Sequence, residues 1–81
     1  MKNDETLTNA AMAALEEVME RALDEAREAR ARGDRPRLAA MVDVLDWAKV
    51  QAGIMDLPPF ANSELQSLEP YSLLAPAKQA A

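Results

Sequence analysis

The chain has 81 residues, no cysteine, no histidine and a formal net charge of −5. That length holds at most one domain, and a chain so short buries only about 60% of its surface, so it is marginally stable without a staple or a partner. The missing residue types exclude disulfides, Cys/His zinc sites and histidine-based triads, and the acidic balance argues against generic attraction to nucleic acid or an anionic membrane surface.

Residues 1–5 are polar and read as a frayed start, with Asn3 or Asp4 as a candidate cap. No apolar signal segment follows Met1-Lys2-Asn3-Asp4-Glu5, and no apolar run approaches the ~20 residues that span a bilayer. A cytoplasmic location without membrane association is therefore expected.

From residue 6 to Arg32 the composition is dominated by Ala, Leu, Met, Glu and Arg, all strong helix formers, with no Gly or Pro between them. Leu7, Ala11, Leu15, Val18, Ala22, Ala26 and Ala29 recur at spacings of three and four, with Met12, Met19 and Leu23 beside them. This period predicts a helix over 6–32 with one apolar face. Gly33 is placed as a left-handed C-cap, and Arg30 and Arg32 suit the negative end of the helix.

Pro36 suits the first turn of a second helix, and Gly53 is read as its stop. A connection this short gives an antiparallel hairpin. Folding about residue 34 sets Ala26 against Val42, Ala22 against Leu45, Val18 near Ala48 and Leu15 against Ala52, so that large residues mostly meet small ones. The second helix, 36–53, is apolar on two sides. Leu38, Met41, Val42, Leu45, Ala48 and Ala52 form one stripe; Ala40, Val44, Trp47 and Ile54 form another, roughly opposite. Asp43, Asp46 and Lys49 share a narrow edge. A helix apolar nearly all round is normally buried from more than one direction, and one partner helix covers only one side.

Residues 54–81 form a different kind of segment, with four of the five prolines. Pro58-Pro59 forces an extended entry; Asn62 or Ser63 caps a short helix over 64–69, with Ser63 and Gln66 matching a capping box; Pro70 ends it; Pro76–Ala81 reads as disordered. Leu57, Phe60, Leu65, Leu68, Tyr71, Leu73 and Leu74 are too many apolar groups for a free tail. This arm is expected to pack on the hairpin, over Trp47, or on another chain.

The features that carry function are few. Glu17, Glu20, Asp24 and Glu28 form a carboxylate ladder on the first helix. Di-iron bundles require Glu-x-x-His, so a solvated face is the better reading, with a basic partner surface as the other. Arg27, Arg30, Arg32, Arg35 and Arg37 cluster at the hairpin tip as a candidate anion-binding group. No aromatic residues interleave them for base stacking. Trp47, Phe60 and Tyr71, with Val44, Ile54, Leu73 and Leu74, make up the candidate interface, because Trp is enriched at binding hot spots. No nucleophile constellation, Gly-rich phosphate loop or cofactor motif is present, so no catalytic residue, cofactor or metal is assigned.

The sequence thus predicts an all-α fold: an antiparallel helical hairpin with a Pro-containing arm, dimerising into a four-helix arrangement. The expected function is a non-enzymatic protein–protein interaction module, an adaptor, small chaperone or inhibitor, binding a protein partner or itself through the second face of helix two and the arm. The alternative is a nucleic-acid-associated regulator acting through the arginine tip.

Overall fold

The computed structural model describes the backbone of residues 2–75, and side chains from Leu7 onward. Two long helices, α1 (Lys2–Arg32) and α2 (Arg35–Ile54), pack on each other as a hairpin; a short helix, α3 (Ser63–Ser67), and a 3₁₀ turn, Pro70–Leu74, follow. There is no strand among the described residues. The chain is all-helical, and no helix of the described residues is long and apolar enough to cross a membrane. The proposed caps Asn3 and Asp4 have side chains outside the described residues, as does the whole segment Pro76–Ala81. The backbone of α1 already begins at Lys2, ahead of the expected residue 6.

The hairpin turn follows the local chemistry. Gly33 has φ +74°, and the Gly33 and Asp34 amides donate to the carbonyls of Arg30 and Ala29 at 3.2 and 2.8 Å, a Schellman closure of α1. Asp34 then caps α2, its carboxylate accepting from the Arg37 amide at 3.2 Å, with Pro36 in the first turn.

Gly53 is not the stop of α2. The helix passes through it to Ile54 and closes on a second Schellman motif, in which the Leu57 and Asp56 amides donate to the carbonyls of Ala52 and Gly53. The left-handed position there is Asp56, with φ +55°, a conformation that short Asp side chains tolerate better than most. Leu57, half-buried, supplies the apolar contact that accompanies such a closure. The chain turns back there because of this motif, and Pro58-Pro59 keeps it extended.

The arm then returns along the hairpin toward the tip. Its Phe60, Leu65 and Leu73 join Met19, Leu23, Leu38, Val42 and Leu45 in one buried cluster, filled in by Ala22, Ala26, Ala29 and Ala52. The core face of α1 differs from expectation. Met19 and Leu23 lie at its centre, whereas Val18 is 55% exposed and Leu7 is 69% exposed. The cause is the arm. With α2 alone as partner, α1 needs one narrow stripe; with the arm beside α2, its apolar face widens toward Met19 and Leu23, and Val18 falls on the far edge. The inner stripe of α2 is as expected: Leu38, Val42, Leu45 and Ala52 are buried, and Met41 and Ala48 pack at its margin.

α1 is eleven residues longer than α2 (31 against 20), so its N-terminal turns overhang the end of the shorter helix. An open, mostly apolar depression of about 340 Å³ sits below the overhang, lined by Leu7, Thr8, Ala11, Met12, Leu15, Met55 and Leu57.

Candidate functional site

Helical geometry at ~100° per residue places Val44, Trp47, Val50 and Ile54 on the side of α2 that points away from α1. Their exposure agrees with that placement. Trp47 is 77% exposed and Ile54 71%, while Val44 and Val50 are also open to solvent. Asp43, Val44 and Trp47 line a shallow depression on this face. Val50 belongs to the same patch, although the sequence stripe omitted it. Met55 extends it past the helix end.

The arm does not cover Trp47. It docks on the neighbouring edge of α2, where Asp46 and Lys49 project. The Lys49 ammonium donates to three carbonyls of the arm, those of Leu65 at 3.0 Å, Gln66 at 2.9 Å and Leu68 at 2.7 Å. These groups sit at the C-terminal end of α3, where orphan carbonyls and the negative end of the helix favour a cation. The Tyr71 hydroxyl approaches the Asp46 carboxylate at 3.4 Å, and the Asp46 charge, more than any other cause, pushes the phenol up from its ordinary value.

On the α1 side the arm is held by Asn62. Its carboxamide oxygen caps α3, accepting from the Glu64 and Leu65 amides, while its NH₂ donates to Glu20 at 2.8 Å and its backbone amide donates to Glu16 at 3.1 Å. Asn62 therefore takes the cap position, and the expected Ser63–Gln66 box does not form. Gln66 instead accepts from the Phe60 amide at 2.8 Å. α3 spans Ser63–Ser67 rather than 64–69, and Pro70 opens a 3₁₀ turn.

The candidate interface set therefore divides. Phe60 and Leu73 are buried in the chain's own core and Leu74 is half-buried against it. Val44, Trp47 and Ile54 remain open on the outer face of α2, and Tyr71, 58% exposed, lies on the arm at the rim beside Asp46.

The arginine tip is largely engaged within the chain. Arg27 pairs with Glu64 at 2.6 Å, Arg37 with Glu25 at 2.9 Å and Arg32 with Glu28 at 3.6 Å, and Arg30 donates to the Ala75 carbonyl at 2.9 Å. Arg35 is the one of the five whose side chain makes no hydrogen bond or ion pair among the described residues; its backbone amide donates to the Gly33 carbonyl at 3.1 Å. Two of these contacts tie the arm to α1, and Arg37–Glu25 braces the hairpin on the opposite side. Of the acidic ladder, Glu20 holds the arm, and among the described residues no group of three or more carboxylates is placed to hold a metal ion.

The Arg27 hydrogen bond holds the Glu64 carboxyl below its ordinary value. A carboxylate with a depressed folded pKa contributes stability above its unfolded pKa, and that contribution is lost as pH falls through the folded value. Glu64→Gln should therefore flatten the acid limb of the stability profile while changing little near neutrality, because both groups are exposed. Urea midpoints measured from neutral pH down through the carboxylate range check this; a variant with an unchanged acid limb would dissociate the pair from arm docking.

No protein-family model, curated protein or solved structure matches the chain.

Proposed function

We propose that the protein is a non-enzymatic protein–protein interaction module, of the adaptor, small-chaperone or inhibitor kind. It binds through the outer face of α2, with Tyr71 of the arm at the rim. The observation that carries this reading is the exposure of Val44, Trp47, Val50 and Ile54 on one helix face after α1 and the arm have both docked elsewhere. A Trp at the centre of an aliphatic patch has the composition of a binding hot spot, and contiguous exposed apolar surface on a small protein marks an interaction site. The occupant is a protein partner or a second copy of the chain; a second copy gives a four-helix arrangement about a two-fold axis.

The arm supports the reading in a second way. It fills the groove between the helices and leaves the outer face clear. Its polar fastenings, Lys49, Asn62 and Arg27, all lie away from Trp47 in sequence or on the helix wheel.

The test is the variant Val44→Ser/Trp47→Ser/Ile54→Ser. These side chains are outside the core, so at concentrations where both proteins are monomeric the helical content and unfolding midpoint should stay close to those of the parent chain. Association should weaken by more than 30-fold, as hot-spot truncations of about 2 kcal/mol or more do. Cross-linking in the native cell, followed by mass spectrometry, compares the two proteins. Equal yields of every cross-linked species from parent and variant would sink the proposal. So would a steeply salt-dependent affinity for nucleic acid that is abolished by Arg35→Gln, because phosphate contacts and apolar contacts respond oppositely to salt.

A further inference from the structure

We propose that the groove between α1 and α2 is a receptor for the arm, and that it takes the arm of a second copy as well as the chain's own. Two copies exchange arms by straightening the turn at Asp56. The outer face of α2 takes no part.

The groove recognises the arm by burial, hydrogen bonding and charge. Phe60, Leu65 and Leu73 are buried in the common core. Residues 57–75 carry Glu64 and Glu69 and no Lys or Arg. From the hairpin, Arg27 pairs with Glu64, Arg30 donates to the Ala75 carbonyl, and Lys49 donates to the carbonyls of Leu65, Gln66 and Leu68. An acidic segment is thus held by cations on both helices, a complementary pairing. Glu16 and Glu20, the carboxylates that reach the arm from α1, face the amide groups of Asn62 rather than an arm carboxylate.

None of these contacts depends on which chain supplies the arm. Only the linker, 55–59, ties the arm to its own hairpin, and it contains a strained turn. Asp56, at φ +55°, is the one non-glycine residue at positive φ among the described residues. Asp tolerates that conformation at a cost that glycine does not have. The closed turn is held by two hydrogen bonds, from the Leu57 and Asp56 amides at 2.9 and 3.1 Å. Straightening gives those amides to water and returns Asp56 to ordinary backbone, while Pro58-Pro59 stays extended. Short hinge loops under strain favour exchange of an element between copies.

The hinge also sits beside uncovered apolar surface. Five linker residues span at most about 18 Å, so two hairpins that exchange arms are held together at their hinge ends. That is the end where Leu7 and Met55 are exposed and the depression under the overhang is open. Exchange therefore keeps every arm contact and sets a second hairpin against surface that the closed chain leaves in water.

The experiment uses the full chain, which has no native cysteine. Arg27 and Glu64 face each other across the seam between arm and hairpin, and both are exposed, so replacing either costs little stability. Arg27→Cys and Glu64→Cys proteins are mixed, unfolded in urea, refolded together at hundreds of micromolar and treated with a short bismaleimide. The expected product is a covalent dimer, twice 8.9 kDa, joined from position 27 of one chain to position 64 of the other, with little dimer from either variant alone. Its yield should rise with refolding concentration and persist in the Val44→Ser/Trp47→Ser/Ile54→Ser background. Asp56→Gly, which relieves the closed turn, should lower it roughly threefold or more, because two hinges relax at once. Absence of the 27–64 dimer from the mixture would overturn arm exchange. So would its loss in the outer-face background, which would assign the association to α2, and an undiminished yield with Asp56→Gly would remove the hinge as its cause.

Discussion

Leu45→Ala should remove between a third and most of the protein's stability. Leu45 is fully buried at the middle of α2, where the α1 face and the arm meet. Truncating a buried leucine costs about 2–5 kcal/mol, set by how far the neighbours relax into the cavity. Here they relax little, because the α1 residues of the same buried cluster include Ala22 and Ala26, whose methyl groups have no rotamers to rearrange. A chain of this size has a total stability of roughly 4–12 kcal/mol. At about 4–5 kcal/mol, the upper end of that range, the loss is a third or more of the whole. Val50→Ala, on the exposed outer face, should change the monomer's stability by less than about 0.5 kcal/mol. Urea unfolding followed by circular dichroism, at concentrations low enough to keep the chain monomeric, separates the two. A Leu45→Ala loss below about 1 kcal/mol would mean that the helices are not packed through this stripe.

The two long helices were legible because their signals are local. Gly33 and Pro36 punctuate the chain, and the inner stripe of α2 repeats at helical spacing over several turns. The two-sided character of α2 was legible for the same reason, and it led to the outer face. The path of the arm was not. Its attachment depends on backbone carbonyls of Leu65, Gln66 and Leu68, which have no signature in side-chain order, so Lys49 read only as one of three charges on a narrow edge of α2.

The core of α1 shows how one unknown displaces another. Val18 satisfied the stripe for a two-helix hairpin. The third element moved the centre of the face to Met19 and Leu23, roughly a residue around the helix. The end of α2 was missed because Gly53 looked like the better left-handed residue, while Asp56 adopted that conformation. The arginine tip illustrates the opposite limit. Five guanidinium groups in a short stretch suggest an anion site, and the partners that engage four of them lie at distances along the chain that no pattern reveals: Glu25, Glu28, Glu64 and the Ala75 carbonyl.

Lys49→Met should release the arm while leaving the hairpin folded. The substitution retains most of the aliphatic stem that packs along the helix and removes the ammonium. Three carbonyls at the end of α3 then lose their common donor. A hydrogen bond to a charged group contributes about 1.5–3 kcal/mol, and water recovers part of that here because the site is only partly buried. A net loss of about 2 kcal/mol is expected. α3 has five residues and cannot persist by itself, so it depends on this contact, on Asn62 and on the burial of Leu65. Hydrogen exchange is the discriminating measurement. The amides of Gln66, Leu68, Ser72 and Ala75 should lose protection, whereas those inside α1 and α2 should keep most of theirs. Lys49→Arg should restore little, since a planar guanidinium cannot converge on three carbonyls as a rotating ammonium does. Trp47 emission should not change in the monomeric variants, because the arm lies on the Asp46–Lys49 edge and not over the indole. Retained protection across 65–74 in Lys49→Met would show that apolar burial alone seats the arm. A shifted Trp47 emission would show that the arm reaches the outer face of α2, and would withdraw that face from any partner.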